Sequence, residues 1–331
     1  MIYPKTRSIS ILLTMVSLSV LLSFSGTSLA LTQSAFGYNV SAAGDWGCSD
    51  NTRKTVSSMI SKNPERVLGL GDYSYESTAD CWFAIVDPLD EKMKISIGNH
   101  DDISSSLLNQ YMSHFGLSKQ YYSFNYQNTH FVVLSTEQIS SSSQYDFAKS
   151  DLARASLNPN IDWIIVYMHK PLYTSPSVHA GESTMRDRYH PLFDRYGVDI
   201  VLYGNNHAYE RSYPIKYDDV GNPATPIITS TSKASYNDPE GQIFATVGTA
   251  GKSIYHYDSK NSYIVTQYEN YGFLDIDIAQ NKLVAKFYSN NDGSVIDQFT
   301  ITKNEPLDTF ERLFDDFKTF DRILQWLRPA I

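Results

Sequence analysis

The sequence predicts an α/β protein, a four-layer α/β/β/α sandwich of two mixed sheets flanked by helices. Strand and helix patterns alternate from residue 37 to residue 203, and short alternating strands with Asn, Asp and Gly turns fill 226–302. The continuous apolar run Trp163–Tyr167 is typical of a strand that is covered on both faces. Two packed sheets with helices outside them accommodate this mixture of elements.

The elements follow one another in a regular order, which hydrophobic periodicity indicates. Strands are predicted at 37–43, 66–70, 92–97, 121–126, 129–135, 163–167 and 198–203, and helices at 51–62, 143–157 and 183–196. In the later part, Asn291-Asp292-Gly293 is a strong hairpin signal.

The N-terminal 30 residues have the features of a signal peptide. Lys5 and Arg7 form a basic start, an apolar stretch follows, and small residues precede Leu31. We therefore divide the chain into a signal peptide at 1–30, one domain at 31–303 and a tail at 304–331. Secretion or another extracytoplasmic location follows, and an uncleaved membrane anchor at 9–24 is the alternative.

The tail at 304–331 carries Phe and Leu at helical spacing, which predicts an amphipathic helix. Docking on its own domain is the expected role, with membrane-surface association or dimerisation as alternatives. The net charge of −9 disfavours a nucleic-acid partner, because phosphate backbones need Lys and Arg. Membrane contact is otherwise expected only through an uncleaved N-terminal segment, and the oligomeric state is left open.

Five short apolar runs end in a residue that can bind a metal. These residues are Asp45, Asp72, Asn99, His169 and His207. Because the carboxyl ends of strands in an α/β sheet converge on one crevice, we expect the five side chains to lie together. A carboxylate can bridge two cations, and a two-metal centre can hold the attacking and leaving oxygens of a phosphoryl group. Tyr75 is near enough in sequence to Asp72 to reach the same cation, and a phenolate favours Fe³⁺.

The chain has two cysteines, Cys48 and Cys81, which follow Asp45 and Asp72 in sequence. Export permits a disulfide between them. Such a bond would join two ligand loops and stabilise the fold by about 3–4 kcal/mol in the loop-entropy model. Two buried free thiols are the alternative.

The order of these groups resembles that of the purple acid phosphatases, within the calcineurin-like metallophosphoesterases. The matching motifs are Gly44-Asp45-Trp46-Gly47, Gly71-Asp72-Tyr73-Ser74-Tyr75, Gly98-Asn99-His100-Asp101, Val166-Tyr167-Met168-His169 and Gly204-Asn205-Asn206-His207. The resemblance extends over residues 38–302. Because no N-terminal β-domain precedes the first motif, the sequence is similar to the short form of the family.

This resemblance implies a dinuclear metal centre. Asp45, Tyr75 and His207 would hold Fe³⁺, Asp72 would bridge the metals, and Asn99 and His169 would hold a divalent Fe, Zn or Mn. A metal-bound hydroxide would attack the phosphorus atom. His100 would orient the substrate or protonate the leaving alkoxide, and His179 would face the substrate, with a solvated loop histidine as the alternative.

Asn205 departs from the family pattern, which has histidine here as a further ligand of the divalent metal. An amide oxygen is a poorer ligand than imidazole for Zn²⁺ or Fe²⁺ and suits harder ions such as Mn²⁺ or Mg²⁺. We expect Asn205 to give weaker binding or a different metal. An empty second site with slow or absent catalysis is the alternative.

Together these features predict an exported, metal-dependent acid phosphatase that hydrolyses small phosphomonoesters. A phosphodiesterase of the same superfamily is one alternative, and Tyr75 argues against it. A non-catalytic phosphate- or partner-binding protein with an incomplete metal site is the other, and Asn205 is its best support.

Overall fold

A computed structural model describes residues 37–304, where the chain folds into two mixed sheets with helices outside them. The predicted signal peptide at 1–30 lies outside the described residues, as does the predicted C-terminal helix at 304–331 apart from its first residue. No helix of the described part combines the length and apolar character that crossing a membrane requires.

Residues 37–304 form fifteen strands and five α-helices. The strands are β1 (Tyr38–Ala43), β2 (Arg66–Gly69), β3 (Met93–Ile95), β4 (Tyr122–Tyr126), β5 (Thr129–Val133), β6 (Trp163–Tyr167), β7 (Ile200–Tyr203), β8 (Tyr209–Lys216), β9 (Ile227–Ile228), β10 (Ser235–Asn237), β11 (Gln242–Val247), β12 (Ile264–Tyr268), β13 (Gly272–Ile278), β14 (Lys282–Ser289) and β15 (Val295–Thr302). The helices are α1 (Asp50–Ile60), α2 (Asp80–Val86), α3 (Ser105–His114), α4 (Ser142–Ala155) and α5 (Ser183–Tyr196), and a 3₁₀ helix covers Asp87–Lys92.

The strands form two sheets whose orders place the predicted strand ends side by side. Sheet A has the order β10-β15-β14-β13-β1-β2-β3, and sheet B has the order β12-β8-β11-β7-β6-β5-β4, with β9 paired to β8. The strands β1, β2 and β3 run parallel in sheet A, as do β5, β6, β7 and β11 in sheet B. The predicted fold class is therefore confirmed.

The strand β6 shows how the two faces of sheet B are covered. Trp163, Ile165 and Tyr167 are buried in the core that joins the two sheets. Ile164 and Val166 point the other way, into a second core with residues of α4 and α5. A central strand that is buried on both faces needs an unbroken apolar sequence, as predicted for this run.

Serine caps set the start of three helices. The side chains of Ser49, Ser104 and Ser141 accept hydrogen bonds from the first turns of α1, α3 and α4. The helix α5 ends at Gly197, whose φ of 66° is the left-handed conformation that glycine adopts at no steric cost. The helices α2 and α3 were not among the predicted elements.

A buried ion pair joins the two sheets. Arg211 on β8 donates to the carboxylate of Asp297 on β15 at 2.6 and 2.9 Å, and to the hydroxyl of Tyr236 at 2.9 Å. Since Arg211 is fully buried, these bonds satisfy a charge that would otherwise be costly to bury. Arg211 therefore has a structural role between the sheets.

Candidate metal centre

The carboxyl ends of the parallel strands from both sheets meet at one edge. The amide of Gly44, just after β1, donates to the carbonyl of Val247 at the end of β11 at 2.9 Å. The Nδ1 atom of His169, just after β6, donates to the carbonyl of Leu70, just after β2, at 2.8 Å. These bonds connect sheet A to sheet B where the candidate ligands lie.

The loops that carry the candidate ligands have unusual backbone conformations. Seven non-glycine residues of the described part have positive φ, and four of them are candidate ligands: Asp45 (59°), Asp72 (55°), Tyr75 (58°) and Asn205 (66°). Left-handed conformations are uncommon outside glycine and concentrate at functional sites. Each loop therefore turns sharply just as it leaves its strand.

Glycines leave room for the ligand side chains. A β-carbon on Gly71 would lie 2.6 Å from Nδ1 of His169, and one on Gly204 would lie 2.7 Å from Oδ2 of Asp45. Because both distances are shorter than a van der Waals contact, a larger residue at either position would displace a ligand. The glycines of the sequence motifs thus have a steric reason.

Asp45, Tyr75 and His207 form one group of ligand atoms. The Tyr75 hydroxyl lies 3.1 Å from Oδ1 of Asp45 and 3.0 Å from Nε2 of His207. The Nδ1 atom of His207 donates to the carbonyl of Ser253 at 2.7 Å, which leaves the lone pair of Nε2 for a metal. Burial and the Asp45 carboxylate raise the pKa of Tyr75, so the phenolate requires a cation beside it.

Asp72, Asn99 and His169 form the second group. Oδ2 of Asp72 lies 3.3 Å from Nε2 of His169. The Nδ1 bond to Leu70 orients His169, and its Nε2 has no hydrogen-bond partner among the described residues. The Oδ1 atom of Asn99 is likewise buried without a partner in the described part of the chain. Buried polar atoms without partners are rare, and a bound cation would give both of these atoms a partner.

Charge links the two groups. One ligand atom each from Asp45, Asp72 and His169 lie within 4.8 Å of one another. Burial opposes ionisation of Asp72, but the adjacent His169 outweighs burial and lowers the pKa of Asp72 to about 2. Burial likewise opposes protonation of His169, but Asp72 outweighs it and raises the pKa of His169 to about 10. Both shifts show that the buried carboxylate of Asp72 favours a positive charge beside it.

Asp101, the last residue of the Gly98-Asn99-His100-Asp101 motif, fixes the second group. Its carboxylate accepts hydrogen bonds from the backbone N–H groups of Asp72, Tyr73 and Gly98, each at 2.8 Å. Asp101 is fully buried and joins the loop after β2 to the loop after β3. Sequence reasoning gave it no role, although its place in the motif was visible.

Asn205 lies at the metal centre through its backbone. Its N–H donates to Oδ2 of Asp45 at 2.8 Å, and the residue is 6% exposed. The asparagine side chain tolerates the left-handed conformation that this position requires. The backbone of Asn205 therefore lies beside Asp45, one of the predicted ligands.

The two predicted catalytic histidines lie at the rim. His100 is exposed, and its ring lies 4.4 Å from the Tyr75 ring. The backbone N–H of His100 donates to Oδ1 of Asp72 at 2.8 Å. His179 is half-buried and its ring lies 5.7 Å from the Tyr255 ring. Burial and the neighbouring His207 lower the pKa of His179.

Three residues near the metal centre were missed by the sequence reasoning. Tyr255 stacks on the His207 ring at 3.9 Å, and Lys252 lies over the Tyr75 ring at 4.1 Å. Asn206 is fully buried and bonds to the backbone of His179. Asn206 was visible as the spacer between Asn205 and His207, whereas the loop after β11 gave no signal.

The remaining histidines do not join the centre. His130 pairs with Asp151 at 2.8 Å, and His190 bonds to Tyr173 and Gln242. His114 and His256 bond to Asp90 and Glu269. Their contacts are those of packing and surface residues.

A disulfide joins Cys48 to Cys81 across 33 residues of sequence. Cys48 lies in the loop after β1 and Cys81 lies in α2, so the bond connects the segments that follow Asp45 and Tyr75. The loops that present these ligands are therefore tied to each other covalently as well as by hydrogen bonds.

Known proteins are similar to this chain in sequence. Residues 38–209 match the family model for calcineurin-like phosphoesterases. Purple acid phosphatase 15 of Arabidopsis thaliana is 30% identical over an alignment covering 54% of this chain and 42% of that protein. Probable inactive purple acid phosphatase 1 of the same plant is also 30% identical, covering 56% of this chain and 31% of that protein.

A solved structure shares the architecture. The purple acid phosphatase from yellow lupin (Lupinus luteus) seeds superposes with a TM-score of 0.68 at 23% identity, covering 82% of this chain and 54% of that one. The chain spans about half or less of the length of the curated relatives named above. The family model covers more than half of this chain, including every predicted metal ligand, and the chain belongs to the calcineurin-like phosphoesterases.

Proposed function

We propose that this protein is an exported acid phosphatase that hydrolyses phosphomonoesters at a dinuclear metal centre. One observation carries the proposal: one ligand atom each from Asp45, Asp72 and His169 lie within 4.8 Å of one another, and Oδ1 of Asn99 and Nε2 of His169 are buried without a partner among the described residues. The match to phosphoesterases and the similarity to purple acid phosphatases support the reaction class.

The donor set supports two different metal positions. Asp45, Tyr75 and His207 would hold Fe³⁺, because two hard oxygen donors and one imidazole suit a trivalent ion. Asn99, His169 and Asn205 would hold divalent Fe, Zn or Mn, and Asp72 would bridge the two ions. When bound, the ions would supply positive charge to the phosphoryl oxygens and activate a water molecule.

The residues of the chain would then position the substrate and its protons. The His100 imidazole stands over Tyr75 and is exposed, so its N–H can donate a proton to the leaving alkoxide. His179 faces the centre from the other loop, and its lowered pKa keeps it neutral and able to accept or donate a hydrogen bond near neutral pH. Tyr255 covers His207 and limits access of water to that ligand.

Export is part of the proposal because the disulfide and the predicted signal peptide are both consistent with it. Disulfides persist in oxidising compartments, and the Cys48–Cys81 bond joins the two ligand loops. Mass spectrometry of protein from the native host would show a mature N-terminus near residue 31. An intact N-terminus in the membrane fraction would instead establish the anchored alternative.

Metal analysis with a visible spectrum tests the chemistry. We expect two metals per chain and a purple or pink colour from charge transfer between the Tyr75 phenolate and Fe³⁺. Tyr75→Phe should remove the colour, whereas Tyr271→Phe, a change in the loop between β12 and β13, should not. A colourless wild-type protein with both sites filled would refute the Fe³⁺ assignment.

Ester preference tests the reaction. We expect hydrolysis of p-nitrophenyl phosphate to exceed that of bis(p-nitrophenyl) phosphate, since both release the same alcohol. The opposite order would establish the phosphodiesterase.

A non-catalytic binding protein is the second candidate, and Asn205 favours it. One curated relative that is 30% identical is named a probable inactive purple acid phosphatase. Binding of phosphate without turnover of either ester, with both metals present, would establish this candidate.

A further inference from the structure

Lys252 is a cation at the rim of the metal centre without an acidic partner among residues 37–304. Its Nζ lies 4.1 Å from the centroid of the Tyr75 ring. The lysine ion pairs of the described residues are formed by Lys170, Lys216, Lys286 and Lys303. Lys252 is half-buried.

The backbone of Lys252 is fixed to a candidate ligand. Its N–H donates to the carbonyl of Asp45 at 2.9 Å, and the N–H of Gly251 donates to the same oxygen at 3.1 Å. The backbone from which this side chain extends is therefore fixed relative to Asp45. Its ammonium group lies over the ring of Tyr75, another candidate ligand.

The neighbouring rim groups leave this positive charge uncompensated. His100, His179 and Tyr255 offer imidazole and phenol groups. The hydroxyl of Tyr75 contacts Asp45 and His207, and Lys252 lies over the ring of that same tyrosine. The ammonium group therefore lies against a ring whose hydroxyl contacts two candidate ligands.

We infer that Lys252 binds a second anionic group of the substrate, which gives the site a preference for phosphomonoesters that carry a carboxylate or another phosphate near the ester. This inference rests on the proposed phosphatase function. A phosphoryl group at the metal centre would place a second anion beside Lys252 when a short spacer, such as one aromatic ring, joins the two. A charge-assisted contact of this kind is worth about tenfold in affinity, or about 1.4 kcal/mol.

A matched pair of substrates tests the inference. The compounds 4-carboxyphenyl phosphate and 4-carbamoylphenyl phosphate have the same shape and differ in one charge. We expect kcat/KM of the wild type to favour the carboxylate about tenfold. Lys252→Met should remove that preference by slowing only the carboxylate, because methionine keeps the cover over Tyr75. Lys252→Arg should restore the preference, and Lys260→Met, an exposed change in the same loop, should leave it unchanged.

Binding of the corresponding benzylphosphonates, measured by calorimetry, separates this inference from the proposed function. Both phosphonates resist hydrolysis, so a protein without phosphatase activity would still bind the carboxylate more tightly through Lys252. If Lys252→Met weakens the binding of both phosphonates equally, or of neither, Lys252 does not bind the second anionic group and the inference is wrong. If the preference is present but neither ester is hydrolysed, the phosphatase assignment fails and the inference stands for a binding protein.

Discussion

The side chain of Asn206 holds the backbone of His179 in both directions. Oδ1 of Asn206 accepts from the His179 N–H at 3.1 Å, and Nδ2 of Asn206 donates to the His179 carbonyl at 3.0 Å. Nδ2 also donates to the Thr174 hydroxyl at 3.0 Å. One fully buried amide between two candidate ligands thus sets the position of a rim histidine.

Asn206→Ala should therefore lower phosphomonoesterase kcat/KM by releasing His179. A small misplacement of a catalytic group can cost on the order of 10- to 100-fold in rate. The measurement is a double-mutant cycle with His179→Ala, in which Asn206→Ala should add little further loss. Thr174→Val, which removes the third hydrogen bond of Asn206 but leaves both of its bonds to His179, serves as the control and should stay near wild type. Fully additive losses would mean that Asn206 does not act through His179.

Asn205→His should increase affinity for a divalent metal and raise turnover when metal is limiting. Imidazole is the better ligand for Zn²⁺ and Fe²⁺, and histidine is among the residues that adopt a left-handed conformation. Metal titration with an activity readout measures both effects. Asn63→His makes the same change at an exposed residue with positive φ and should alter neither. No change in the Asn205→His protein would mean that asparagine is already an adequate ligand or lies outside the shell.

Loss of the Cys48–Cys81 bond should lower the free energy of unfolding by about 3–4 kcal/mol, since the bond closes a loop of 33 residues. Urea unfolding of the Cys48→Ala/Cys81→Ala protein measures this change. Wild type unfolded in reductant should behave like the variant. Detection of two reactive thiols in unreduced, denatured wild type would rule the disulfide out.

His190 should make the fold sensitive to acid. It is fully buried between Tyr173 and Gln242, and burial lowers its pKa from 6.5 to about 3. Between these two values the unfolded chain binds a proton that the folded chain does not. The contribution of His190 is therefore complete above pH 6.5 and is lost as pH falls towards 3, by up to about 1.4 kcal/mol per pH unit.

Urea unfolding at pH 7.0 and pH 4.5 measures that loss. His190→Gln keeps a polar side chain and removes the titration, so its stability should fall less than that of wild type over this interval. Other groups titrate in both proteins, and only the difference between them reports on His190. An equal fall in the two proteins would contradict the assignment.

The parts of the fold that depend on local sequence could be predicted. The run Trp163–Tyr167 and the ends of β1, β2 and β7 are local patterns, because an apolar strand followed by glycine and a polar residue specifies both the strand and its exit. The short helices α2 and α3 were missed since each is set by packing as much as by its own sequence. Aromatic contacts of Trp82 with Tyr73 and Tyr111 bring both helices to sheet A.

The rim depends on contacts that are distant in sequence. Lys252 and Tyr255 reach the site because β11 pairs in parallel with β7, which brings the loop after β11 beside His207. No motif marks that loop. The residues that support the ligands were likewise hidden: Asp101 and Asn206 bind backbone groups, and backbone hydrogen bonds leave no pattern in a single sequence.

The division of the ligands between the sheets has a consequence for assembly. Asp45, Asp72, Tyr75 and Asn99 follow strands of sheet A, whereas His169, Asn205 and His207 follow strands of sheet B. A cation that takes ligands from both sheets can bind only after the two sheets have docked. Metal binding would then follow folding, and a metal at a free concentration of 100 Kd would stabilise the folded chain by about 2.7 kcal/mol. Removal of the metal by a chelator would remove this stabilisation, which acts at the edge of the sandwich that carries the ligands.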